Sequence, residues 1–142
     1  MLTFNTTLVL NFDPTDQPMK KYELQGTPKT PAVLFDPEQG QLTFTGRSVH
    51  ENSDKFYTPI FELLQEYAAS PADETMVRFE LEYFNTSSAK YILDLIKKLE
   101  EMKLSGNSVK VEWIFEEGDL DMEEAGQDYN DLVDLDLEVV QK

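Results

Sequence analysis

The stretch from Glu74 to Phe115 changes its hydrophobic period twice, and that double change restricts the fold more than any other feature of the chain. In "ETMVRFELEYF", Met76, Arg78, Glu80 and Glu82 alternate with Val77, Phe79, Leu81 and Tyr83, as in a strand with one buried face. "YILDLIKKLEEMKL" then sets Ile92, Leu95, Ile96, Leu99 and Met102 at helical spacing, and Ser105-Gly106-Asn107 ends it, Gly being common just past a last turn. "SVKVEWIFEE" returns to alternation, with Val109, Val111, Trp113 and Phe115 on one side. A strand with one apolar face needs a cover, and an amphipathic helix next in the chain supplies one.

The flanking segments extend this pattern. Val33 and Phe35, then Leu42 and Phe44, alternate about a Pro-Glu-Gln-Gly turn, which predicts a hairpin. In "SVHENSDKFYTPIFELLQEYAASP", Ser53 or Asn52 can cap a helix whose Phe56, Ile60, Leu63, Leu64 and Tyr67 share a face. Pro59 interrupts that helix, so it is expected to start late or bend there. "GDLDMEEAGQDYNDLV" reads as a short acidic helix and "LDLEVVQ" as a last extended segment. The fold class is α/β, a single domain with a mixed β-sheet and helices packed on it. Its 142 residues are enough for one core. Met19-Lys20-Lys21-Tyr22 makes a good beginning for that domain, with a turn over Asp13 to Pro18 before it. Residues 1–18 are therefore expected to be an N-terminal extension or accessory strand, and 19–142 the domain itself.

Composition narrows the function. With no cysteine, disulfides and thiolate metal sites are ruled out. No apolar run reaches the roughly 20 residues of a membrane span. The N-terminus has neither a basic flank nor a cleavage pattern, so a cytoplasmic protein without membrane attachment is expected. The net charge is −16, and residues 112–142 carry twelve acids against one base, a net −11 that leaves −5 for the rest. Such a surface repels nucleic acid and suits a basic protein partner, or else serves solubility alone.

Little points to catalysis. His50 is the single histidine and stands in an expected loop, where a solvated or loosely packed ring is the ordinary outcome. Neither a nucleophile elbow nor a phosphate-binding glycine motif is present. An EF-hand reading from Asp119 fails, because Glu124 and Asn130 stand where Gly and Glu are required. The Asn5 and Asn85 sequons have no consequence in a cytoplasmic protein. No cofactor and no metal are expected. An enzyme built on clustered carboxylates is the remaining catalytic alternative.

One junction stands apart. In "YFNTSSAK", Thr86, Ser87 and Ser88 follow Asn85 where a strand gives way to a helix. A single Asn or Ser oxygen would cap that helix, stabilising it by about 1 kcal/mol. Three hydroxyls exceed that need, and a phosphate there would meet the helix dipole and free N–H groups. Capping alone and regulatory phosphorylation are both compatible with the residues.

Three long stretches, "GTPKTPAVLFDPEQGQLTFTGRSVHENSDKFYTPIFELL", "FELEYFNTSSAKYILDLIKKLE" and "VEWIFEEGDLDMEEAGQDYNDLV", resemble the SiaC family of bacterial regulatory phosphoproteins. The resemblance covers about Tyr22 to Val133 and implies a STAS-like fold, like that of anti-sigma-factor antagonists. It implies Thr86 as the phosphoacceptor, with Ser87 and Ser88 in reserve. It further implies a dedicated protein kinase, a metal-dependent Ser/Thr phosphatase, and a diguanylate cyclase or other signalling effector activated by the unmodified form, raising cyclic-di-GMP and promoting biofilm. Tyr83, Phe84 and Asn85 would shape the docking surface, joined by Arg47, Ser48, Glu51 and Asn52 from "GRSVHENS". The family begins near the Tyr22 strand, so the first 18 residues are a departure from it. The alternative is an acidic interaction or mimic protein that occupies a basic partner surface whatever the state of Thr86.

Overall fold

A computed structural model describes residues 19–142; the expected extension over residues 1–18 lies outside the described residues. The elements follow in the order β1 (Tyr22–Leu24), β2 (Ala32–Asp36), β3 (Gln41–Ser48), α1 (Ser53–Ala68), β4 (Glu74–Phe84), α2 (Thr86–Leu104), β5 (Ser108–Phe115), α3 (Leu120–Leu132) and β6 (Leu137–Gln141). They build a six-stranded sheet ordered β1 to β6 in chain sequence. β1, β2 and β3 pair antiparallel, whereas β3 to β6 are mutually parallel, so the sheet is mixed as expected. Each parallel step needs a crossover helix. With strands laid down in sequence, right-handed crossovers put all three helices on one face of the sheet.

That face holds the core. One lateral row runs through every strand: Leu24, Val33, Phe44, Phe79, Trp113 and Val139 are successive register partners. Phe44 stacks on Phe79 with centroids 5.0 Å apart, and Phe79 meets Trp113 at 5.5 Å. Ile92, Leu95, Ile96 and Leu99 of α2 cover the row and are themselves buried. Each such side chain contributes about 1.5–3 kcal/mol of burial.

α1 corrects one expectation. It starts at Ser53, capped by the Asn52 side chain, and continues as one helix through Pro59. Pro59 lies on the exposed face, so the carbonyl it leaves without a donor turns toward water. The buried face also differs slightly, running through Ser53, Tyr57, Ile60, Leu64 and Tyr67, with Phe56 and Leu63 only half-buried.

A second correction concerns β4. Val77, Phe79 and Leu81 point into the core as expected, but Tyr83 is 52% exposed. The register slips between Gly46 and Arg47: Gly46 faces Leu81 while Arg47 faces Tyr83, leaving Glu82 as an extra residue. A bulge reverses the alternation beyond it. Phe84 therefore takes the inward position, against Trp113 and Tyr129, and Tyr83 turns outward beneath Arg47.

Candidate functional site

Beyond the bulge, β3 and β4 end side by side at Ser48 and Phe84, and α1 and α2 begin directly afterwards. Two helix N-termini thus share the carboxyl edge of two parallel strands, the edge where open α/β sheets present their functional groups. The Asn85 N–H donates to the Ser48 carbonyl at 3.0 Å and carries the ladder one residue past β4.

Asn85 is the cap of α2. Its backbone is extended, and its Oδ1 accepts from the Ser88 N–H at 2.9 Å. Thr86, Ser87 and Ser88 are then the first three helical residues, each pointing differently. Thr86 is exposed, and no side-chain hydrogen bond ties it to another of the described residues. Ser87 Oγ lies 2.6 Å from Ser53 Oγ at the start of α1. Ser88 is 1% exposed and donates to the Ser48 carbonyl at 2.9 Å.

A chain of hydroxyls lies beneath. Ser48 Oγ donates to Ser88 Oγ at 2.7 Å, which uses its only proton, so Tyr57 must donate to Ser48 across their 2.6 Å contact. Burial pushes the Tyr57 phenol up to about 12, with bonding to Ser48 and Ser88 opposing the rise. Tyr57 stacks on Tyr91, whose hydroxyl donates to Asp54 at 3.1 Å. Among the described residues no buried side-chain nitrogen or oxygen lacks a partner. This matters because an unsatisfied buried hydroxyl costs about 1–3 kcal/mol. From the other side, Tyr129 of α3 donates to the Ala89 carbonyl at 2.8 Å, and burial raises its pKa as well.

The arrangement brings together most of the residues singled out from sequence. Arg47, Tyr83, Thr86, Glu51 and Asn52 are exposed, and Phe84 and Asn85 are half-buried. Glu51 pairs with Lys29 at 3.5 Å, and His50 Nδ1 accepts from the Asn52 N–H at 2.8 Å. Burial corrects two expectations. Ser48, 2% exposed, is an internal strut and cannot meet a partner directly, and Ser88 is too enclosed to be a reserve acceptor in the folded chain. Ser53, expected only as a possible cap, and Tyr57 were not among the expected site residues, although their four-residue spacing puts both on the buried face of α1.

At Thr86, a phosphate would face the N–H groups of the first turn that lack helical partners, and the positive end of the α2 dipole. Lys90, one turn along, lies on the same helical face. Among the described residues no cluster of His, Asp or Glu is arranged to hold a metal ion.

Residues 24–142 match the family described as SiaC family regulatory phosphoprotein. The chain belongs to the SiaC family. A relative from Pseudomonas aeruginosa strain UCBPP-PA14, an uncharacterised protein, is 30% identical over 98 residues, which span 69% of this chain and 78% of that protein. Among solved structures, apo-SiaC from Pseudomonas aeruginosa superposes with a TM-score of 0.79 at 24% identity, covering 86% of this chain and 99% of the other. SiaC in the crystal structure of the diguanylate cyclase SiaD with its activator SiaC gives a TM-score of 0.81 at 24% identity, over 85% and 99% of the two chains. The six-stranded mixed sheet with three helices is thus the SiaC fold, and no described helix is long and apolar enough to cross a membrane.

Proposed function

We propose that this SiaC-family protein is a non-enzymatic switch thrown by reversible phosphorylation of Thr86. A separate protein kinase adds the phosphate, and a metal-dependent Ser/Thr phosphatase removes it. The unmodified chain binds and activates a diguanylate cyclase, as SiaC does with SiaD in Pseudomonas aeruginosa, and so controls cyclic-di-GMP and biofilm formation. The exposure of Thr86, beside a tethered Ser87 and an enclosed Ser88, carries this reading. A dianion there is held by the first turn of α2 without entering the core, and it confronts any partner seated on Tyr83, Asn85 and Arg47. Phosphate-affinity electrophoresis of the protein from its own cells tests it. A retarded band is expected for the wild type and none for Thr86→Ala; a band that persists in Thr86→Ala moves the site elsewhere.

A second reading rests on α3, where Asp121, Glu124, Asp128 and Asp131 are all exposed. Binding through this surface alone, as an acidic mimic, would weaken steeply with salt and ignore Thr86→Glu. Loss of binding in Thr86→Glu at constant salt decides against it.

A further inference from the structure

Resting on that reading of Thr86, we propose that Ser53 determines which hydroxyl of the Thr-Ser-Ser run is modified, by withholding Ser87 from the kinase. Composition does not distinguish the three residues, since all are alcohols within one turn of one helix. The fold separates them. Ser88 is sealed in. Ser87 is an exposed residue, so burial does not protect it. Its oxygen, however, is aimed at α1, 2.6 Å from Ser53 Oγ, with Asn85 Oδ1 as a further acceptor at 3.4 Å.

Phosphoryl transfer needs the attacking oxygen in line with the γ-phosphorus, its proton passing to a base of the kinase as the bond to the leaving diphosphate breaks. An oxygen engaged with Ser53 is turned toward α1 and must give up that 2.6 Å hydrogen bond and rotate outward before it can line up with the γ-phosphorus. Ser53 is itself fixed. It is 3% exposed, lies 3.3 Å from Ser88 Oγ and 3.3 Å from the His50 carbonyl, and follows the Asn52 cap. The selecting group therefore sits on a different helix from Ser87, thirty-four residues earlier in the chain. Removing its oxygen releases Ser87 to rotate outward, while Asn85 continues to cap α2 and Thr86 keeps its place.

The experiment expresses variants in the native cells and maps phosphate by mass spectrometry. Wild type and Ser53→Ala should both carry phosphate on Thr86. Thr86→Ala should carry no more than trace phosphate at Ser87, and Thr86→Ala/Ser53→Ala should carry at least five times as much. Thr86→Ala/Ser53→Thr, which restores a hydroxyl, should return to the trace level. If Ser53→Ala lowers the melting temperature markedly, Ser53→Cys, which fills the site with a slightly larger atom while weakening the hydrogen bond, serves as the releasing variant. Equal Ser87 occupancy with and without the Ser53 hydroxyl, in chains whose wild type is modified on Thr86, overturns this inference alone. A wild type free of phosphate overturns the functional reading and this inference with it.

Discussion

Tyr57 joins the site to the core, and its titration reports on both. Its phenol ionises near 10.0 when free and is pushed up to about 12 by burial. Below pH 10 both folded and unfolded chains keep the proton. Between pH 10 and 12 the unfolded chain loses it first, so stability falls, and above about 12 the whole contribution of about 2–3 kcal/mol is gone. Thermal melts from pH 9 to 12 should show this loss, and Tyr57→Phe should reduce its slope. At neutral pH, Tyr57→Phe removes the donor to Ser48 and should cost about 1 kcal/mol in urea unfolding. Asn85→Ala should cost a similar amount through the lost cap, whereas Thr86→Ala, at an exposed position, should leave stability within about 0.5 kcal/mol of wild type.

Among the elements, α3 depends most on a single small residue. A Cβ on Gly126 would overlap the Trp113 indole, which is fully buried and donates its Nε1 proton to the Met122 carbonyl at 2.9 Å. Ala is intrinsically the better helix former by about 1 kcal/mol. Overpacking at this contact opposes that gain, so Gly126→Ala should destabilise by about 1–3 kcal/mol in chemical denaturation. The same contact shows what was legible in the sequence. The alternation of Val109, Val111, Trp113 and Phe115 revealed which side of β5 is buried, because that signal lies within one segment. Outward rotation of Tyr83 could not be read from β4, since the bulge depends on pairing with Gly46 and Arg47 in a distant strand. Pro59 misled for the converse reason: its cost depends on which face of α1 meets water, and that is set by the sheet. An Asn or Ser cap at the start of α2 was readable locally, but Thr86 was set apart from Ser87 and Ser88 only by the family resemblance and then by the fold. Ser53 and Tyr57 became site residues only when α1 was laid beside α2.

Across the described residues, the enclosed groups and the outward-facing site residues are segregated. The aromatic row and the hydroxyl struts are enclosed, while Thr86, Arg47 and Tyr83 face outward at one end of the sheet. Domain stability and partner affinity should accordingly respond to different substitutions. Tyr83→Ala should weaken effector binding by about tenfold or more, the loss of roughly 1.4 kcal/mol, with little change in melting temperature. The most direct measurement titrates a diguanylate cyclase from the same cells with the chain, unmodified or phosphorylated on Thr86, and follows cyclic-di-GMP formation while recording the melting temperature of each form. The expected result is strong activation by the unmodified chain and at least tenfold weaker activation by the phosphorylated one, with melting temperatures a few degrees apart at most. Equal activation by both forms, or a phosphorylated chain that unfolds, would contradict the account.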